Sequence, residues 1–223
     1  MRAAALALGL LAAAPAEATC RLALALALDV SSSVDKTERQ LQLEGLARAL
    51  EDRSVREAIF SIPGTTIALM VFEWSGQSDQ DVISPWVEVA TPADLDSLSA
   101  DIRRTTKRKP NRPTALGAAL EFARVELSRV SCFEQKIDVS GDGRNNDGIP
   151  PERLYEWRNF GMITVNALSI GSETKGLSRY FEDLVIRGPG AFVVEADDYS
   201  DYARAIREKL IREIGVPRLG MAR

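Results

Sequence analysis

Asp29, Ser31 and Ser33 form a D-x-S-x-S stretch directly after an apolar run and just before an amphipathic one. A loop of this kind aims one carboxylate and two hydroxyls at a single point. Two more oxygen-bearing residues stand at comparable places. Thr114, in Pro113-Thr114-Ala115-Leu116-Gly117, opens a helical pattern, and Asp142, in Ser140-Gly141-Asp142-Gly143, follows a strand-like segment. Singly, each has an ordinary role as a helix N-cap or a turn residue. Together they offer the oxygen donors that hard cations prefer, meaning Mg²⁺, Mn²⁺ or Ca²⁺. The composition narrows the chemistry in the same direction. The 223 residues include no histidine, which excludes Ser-His-Asp and Cys-His catalysis, imidazole-ligated zinc and a His-held haem. Two cysteines, Cys20 and Cys132, are too few for thiolate zinc sites or Cys-ligated iron–sulfur clusters. The usual proton shuttle near neutral pH is also absent, which favours capture over catalysis.

Other motifs lie close to this set. Ser33-Val34-Asp35-Lys36 fits S-x-x-K, the nucleophile motif of some His-free serine hydrolases, but neither K-T-G nor S-D-N accompanies it. The basic stretch Arg103 to Arg112 ends beside Thr114. Its Arg108, Lys109 and Arg112 are candidate rim contacts that add positive potential and speed capture of an anionic partner. An anionic surface such as lipid headgroups is a further candidate for this loop. Asn145, in Arg144-Asn145-Asn146-Asp147-Gly148, is another rim candidate. The spacing there does not match an EF-hand, and a polar turn shaping the rim is expected. A net charge of −4 gives no basic character of the kind that binds nucleic acid.

The first residues read as a secretory signal over residues 1–18. Arg2 supplies the positive start, Ala3 to Ala14 the apolar run, and Ala16-Glu17-Ala18 the cleavage site. The run falls short of the ~20 residues of a membrane span. A periplasmic or secreted chain without a transmembrane anchor is expected.

These residues need elements to hold them. Leu22, Leu24, Leu26 and Leu28 alternate with Ala23, Ala25 and Ala27. Both faces are apolar, so this is a central strand, with an alanine face that lets a helix approach closely. Helical spacing follows over about Asp35 to Asp52, with a short helix over Val55 to Ser61. Thr66 to Phe72 is a strand, and Val82 to Val89, interrupted by Pro85, is an edge strand. Thr91-Pro92 starts a helix reaching about Thr105. Leu116 to Val130 keeps helical spacing. Lys136 to Ser140 and Ile163 to Ile170 are strands around a helix from Pro151 to Phe160. Leu177 to Ile186 is a helix, Phe192 to Glu195 a strand, and Tyr202, Ile206, Leu210 and Ile214 the inner stripe of a last helix. The fold class is α/β: one doubly wound, mostly parallel sheet of about six strands, its edge strand antiparallel, with helices on both faces. The domain is expected over 19–216, with a tail at 217–223. Ligands of such sheets bind beyond the C-terminal strand ends.

At Asp29, Ser31, Ser33, Thr114 and Asp142 the chain resembles a von Willebrand factor A-type domain with its metal-ion-dependent adhesion site. The resemblance spans about Leu22 to Gly215. Leu-Asp-Val-Ser-Ser-Ser, Thr-Ala-Leu-Gly-Ala-Ala-Leu and Asp-Val-Ser-Gly-Asp-Gly further resemble a family of secreted bacterial proteins, the domain-of-unknown-function family 1194. One departure is Gly141, where this fold often has Thr.

The resemblance implies that Ser31, Ser33 and Thr114 contact a divalent cation, foremost Mg²⁺, while Asp29 and Asp142 act largely through water. Neutral hydroxyl ligands leave the cation's charge uncompensated, so it recruits an Asp or Glu of a protein partner. That is binding chemistry and needs no general base. The fold also implies that the strands after Cys20 and Cys132 are parallel neighbours, ~4.8 Å apart, which puts the two cysteines within disulfide range. A Ser-Lys or metal-assisted hydrolase and a structural domain with a vestigial site stay open as alternatives.

Overall fold

The computed structural model describes residues 18–106, 112–171 and 176–215. Arg108 and Lys109 lie outside these residues, as do the tail and all of the expected leader except Ala18. A single sheet of six strands forms the centre, in the order β3-β2-β1-β4-β5-β6. The strands are β1 (Thr19–Asp29), β2 (Thr65–Trp74), β3 (Gln80–Val89), β4 (Glu134–Gly141), β5 (Thr164–Ile170) and β6 (Val193–Ala196). All pairings are parallel except that of β3, which lies antiparallel on the edge and contains Pro85.

The Leu–Ala alternation of β1 sorts the helices. Leu22, Leu24, Leu26 and Leu28 face α1 (Lys36–Glu51), α3 (Pro92–Arg104) and α7 (Tyr202–Ile214), whose Leu43, Leu46, Leu98, Ile206 and Leu210 fill that layer. Between them lies α2 (Arg53–Ile59). Ala23, Ala25 and Ala27 face α4 (Leu116–Leu127) and α5 (Pro151–Trp157). Each fully buried Leu contributes about 1.5–3 kcal/mol of hydrophobic stabilisation, so the central strand alone anchors both layers.

Two expectations change. The helix read over Leu177 to Ile186 is one α turn, α6 (Leu177–Tyr180), running into a π-helical turn over Phe181–Val185. The wider turn buries Phe181 and Val185 together while Leu184 faces outward. The helix read to Phe160 stops at Trp157, because Asn159 and Gly161, at φ 51°, make a turn. A feature without a sequence-based expectation is that Lys209 and Glu213 of α7 are buried. Lys209 Nζ lies 2.5 Å from Glu213 Oε1 and 2.9 Å from Asp138 Oδ1 on β4. Asn166 Nδ2 donates to Glu213 Oε1 at 2.8 Å.

Cys20 and Cys132 form a disulfide, with Cα atoms 4.7 Å apart. It ties the entry of β1 to that of β4, at the opposite end of the sheet from Asp29.

Candidate functional site

The C-terminal ends of β1, β2 and β4 lie side by side, Asp29 pairing with Trp74 and Leu28 with Ser140. Beyond them the chain turns sharply. Asp29 Oδ1 accepts the Ser31 N–H at 2.7 Å, and the Ser31 carbonyl accepts the Val34 N–H at 3.0 Å. Asp35 then caps α1 through a capping box with Glu38. This compact turn brings the hydroxyls of Ser31 and Ser33 to 3.2 Å from each other. Ser33 Oγ donates to Asp142 Oδ1 at 2.6 Å, closing a chain of oxygens from β1 to β4. The Ser33 hydroxyl is thus turned to Asp142, and the Lys36 side chain is exposed.

Thr114 is held at the start of α4 by the loop after Asp142. Asn146 Oδ1 accepts the Thr114 N–H at 2.8 Å, and the Thr114 carbonyl accepts the N–H groups of Asn146 and Asp147. Asn145 serves the same join: its Oδ1 accepts the Gly117 N–H at 3.2 Å. The Arg144 to Gly148 stretch is therefore a brace for Thr114, with Asp147 also bonded to Gln77. Arg112 lies at the rim, its Nε 3.5 Å from Asp79 Oδ2, and its carbonyl accepts the Ser32 N–H at 2.8 Å. Asn146 was missed in the sequence because its role depends on a contact 32 residues away.

Gly117 makes this brace close. A Cβ there would stand 1.9 Å from the Ile149 carbonyl oxygen. Because the obstacle is backbone, Gly117→Ala is expected to cost about 3 kcal/mol, the upper part of the overpacking range. Urea unfolding checks this, and a loss below about 1 kcal/mol would show that the loop yields freely.

The floor of the site is dry and charged. Asp29 is fully buried, and its second oxygen, Oδ2, has no hydrogen-bond partner. Burial first, and the charge of Asp142 second, push its pKa up to about 7. Gln42 Nε2 donates to the Asp29 carbonyl at 2.8 Å, and Arg39 clamps Glu73 on the neighbouring strand at 2.6 and 3.1 Å. A Cβ on Gly141 would come 3.2 Å from Asp29 Oδ2, with the Phe181 and Trp74 rings at 3.4 and 3.5 Å. The rings are at ordinary contact distance, so the tight neighbour of any side chain there is the Asp29 carboxylate itself.

Tyr199, in the loop between β6 and α7, lies at the same strand end, its ring packed in the layer of α1 and α7. Its side chain is buried, 6% exposed. Asp142 and Asp29 are the nearest charges acting on it, ahead of Glu38, and burial with these carboxylates keeps its pKa far above the ordinary value. The only sequence signal for it is an aromatic residue in the acidic stretch Asp197-Asp198-Tyr199-Ser200-Asp201 just after a strand.

Among the described residues, no group of three or more Cys, Asp or Glu side chains is arranged to hold a metal. A cation here would have to draw on hydroxyls as well as carboxylates. The donor set fits such a cation: the Ser31 and Ser33 hydroxyls in contact, the Thr114 hydroxyl on a braced loop, and the buried Asp29 Oδ2 at the end of β1.

This architecture is that of the von Willebrand factor A-type domains. Proximal thread matrix protein 1 from the mussel byssus superposes with a TM-score of 0.65 at 16% identity, over 87% of this chain and 48% of that one. The same protein with a zinc-occupied metal-ion-dependent adhesion site gives 0.65 at 17% identity, over 87% and 48%. A von Willebrand factor type A protein from Catenulispora acidiphila gives 0.62 at 17% identity, over 88% and 43%. The chain thus spans about half the length of these structures. By sequence, residues 19–217 match the family described as Protein of unknown function (DUF1194), and the chain belongs to that family. No curated protein matches it.

Proposed function

We propose that this chain is a periplasmic or secreted binding module that captures an acidic group of a partner protein through a divalent cation. Ser31, Ser33 and Thr114 would contact the ion, and Asp29 and Asp142 would hold its waters. The observation that carries this reading is the buried, unpartnered Asp29 Oδ2 beneath the linked hydroxyls of Ser31 and Ser33. A buried carboxylate oxygen without a partner is costly. A cation above it relieves that cost and favours the ionised form of Asp29. The bound ion supplies a Lewis-acidic centre left partly uncompensated by neutral hydroxyls, and so attracts an external carboxylate. Zinc in the corresponding motif of the byssus protein supports a divalent ion, with Mg²⁺ favoured here by an all-oxygen donor set. The Cys20–Cys132 disulfide supports an oxidising compartment. Among the described residues no helix is long and apolar enough to cross a membrane.

Thermal unfolding with and without ion tests the reading. Mg²⁺ or Mn²⁺ at a hundredfold excess over Kd stabilises the native state by about 2.7 kcal/mol, a rise in Tm of about 5–10 °C for a domain of this size. Asp29→Ala is expected to abolish the rise. An unchanged wild-type Tm at millimolar Mg²⁺, Mn²⁺ and Ca²⁺ relative to EDTA would overturn it.

A further inference from the structure

We infer that Trp74 is a positioning residue of the metal site, its indole N–H holding the Asp29 carboxylate across one buried water. The inference rests on the divalent-cation reading above and extends it to a residue outside the five-residue motif. Asp29 on β1 pairs with Trp74 on β2, and the adjoining pair of Leu28 and Ser140 sets Asp29 beside Gly141 of β4. Paired residues of parallel strands point to one face, so Asp29, Trp74 and Gly141 form one row across the sheet. That face is the one on which Ala23, Ala25, Ala27, Phe72 and Trp74 are buried together with Phe181. Distances agree with the register. Asp29 Oδ2 and Trp74 Cζ2 lie 3.2 and 3.5 Å from the point where a Gly141 Cβ would stand. Cζ2 is bonded to the ring carbon that carries Nε1, so the nitrogen-bearing edge of the indole borders the same gap as the carboxylate. Trp74 is fully buried, and its Nε1 meets no acceptor among the described residues.

A buried indole N–H ordinarily finds a partner. An ionised carboxylate oxygen accepts more than one hydrogen bond, so Oδ2 can take one from this side whatever it meets on the other. Glycine at 141 leaves the gap without a side chain, and a gap bordered by a donor and a carboxylate suits a buried water. The water accepts from Nε1 and donates to Oδ2. An indole locked by packing has one direction to donate, so this link fixes which way the Asp29 oxygens face. A carboxylate that holds metal-bound waters depends on that orientation, and removing donors behind metal ligands lowers affinity by about 10–100-fold.

The experiment combines proton–nitrogen NMR of the indole groups with thermal unfolding, on the full mature protein in EDTA and in Mg²⁺. Of the three tryptophans, Trp86 donates to the Glu126 carbonyl at 3.2 Å and Trp157 is exposed, so both serve as controls. Trp86→Phe and Trp157→Phe assign their signals and leave the third to Trp74. In EDTA, the Trp74 indole proton is expected to cross-relax with a bound water and to shift in Asp29→Asn, while the control signals stay in place. A missing water cross-peak, or a Trp74 signal unmoved by Asp29→Asn, overturns the inference without any ion and without a Trp74 variant that folds. Mg²⁺ added to the wild type should then move the Trp74 signal. In thermal unfolding, Trp74→Phe is expected to weaken ion affinity about tenfold, shrinking the metal-induced rise in Tm by about 3–5 °C, whatever its Tm in EDTA. Trp86→Phe should keep the full rise. A full rise in Trp74→Phe overturns the role of Trp74 while leaving the metal site standing. A wild type that responds to no ion overturns the metal reading and the positioning role together, even where the link to Asp29 is seen in EDTA.

Discussion

Replacing Lys209 by Met is expected to destabilise the fold by about 3–5 kcal/mol, lowering the Tm by roughly 10 °C or more. Lys209 is fully buried between α7 and the sheet, and its ammonium is shared by Glu213 at 2.5 Å and Asp138 at 2.9 Å. Removing the cation strands two carboxylates in the core, whereas an intact pair or triad contributes little net stability. The cluster sets two carboxyls against one ammonium, which favours the protonated form of Asp138. Burial first, and the charge of Glu213 second, push the Asp138 pKa up to about 8.

The sign of the pH dependence follows. A carboxyl whose folded pKa lies above its unfolded value near 3.9 stabilises the fold fully below that value. The contribution is lost as pH rises to the folded pKa near 8. Asp29, raised to about 7, acts in the same direction in metal-free protein. The Tm in EDTA is therefore expected to fall between pH 5 and pH 8, and Asp138→Asn should flatten that fall. Denaturant melts across this range decide it. A Lys209→Met variant within 1 kcal/mol of wild type, or a Tm rising with pH in EDTA, would show that the cluster is not held as described.

Opening the Cys20–Cys132 disulfide is expected to cost about 4–5 kcal/mol, because it closes a loop of 112 residues. That loop contains β1 to α4, the whole segment from which Asp29, Ser31, Ser33 and Thr114 come. The double variant Cys20→Ser/Cys132→Ser should melt roughly 10 °C or more below the oxidised protein. It should still respond to divalent ion if it folds, since the bond lies at the far end of β1 from Asp29. A loss under about 1 kcal/mol would mean that the unfolded chain is little constrained by the bond. Two reactive thiols in the unreduced, denatured wild type would mean that the bond does not form.

Much of the fold could be read from local pattern. The alternation of Leu and Ala over residues 22–28 predicts a central strand with two unlike faces, and the two helix layers sort along it. Pro85 marks the edge strand because it cannot donate to a ladder on both sides. Thr91-Pro92 marks the start of α3 through cap chemistry alone. The clustering of Asp29, Ser31, Ser33 and Asp142 was also legible, because each stands where a strand ends and strand ends of a parallel sheet share one edge.

What stayed hidden depends on partners distant in the chain. Lys209 and Glu213 look like a solvated i, i+4 pair, and only Asp138 on β4 and Asn166 on β5 make them a core cluster. Asn145 and Asn146 look like turn residues until Gly117 and Thr114 are seen against them. Gly141 looks like a lost contact until Asp29 Oδ2 is seen 3.2 Å from where its Cβ would stand. Tyr199 shows no spacing signal, since its direction is set by packing against the α1 and α7 layer.

By itself the sequence determined the available chemistry. Without histidine, and with only two cysteines, oxygen is the main remaining ligand type, and residue type alone decides that. The tertiary structure decided which oxygens are dry, which are paired and which are left over. Those properties arise only when the ends of β1, β2 and β4 and the helix layers exclude water from Asp29, because desolvation is a collective effect of packing and not a property of any one residue.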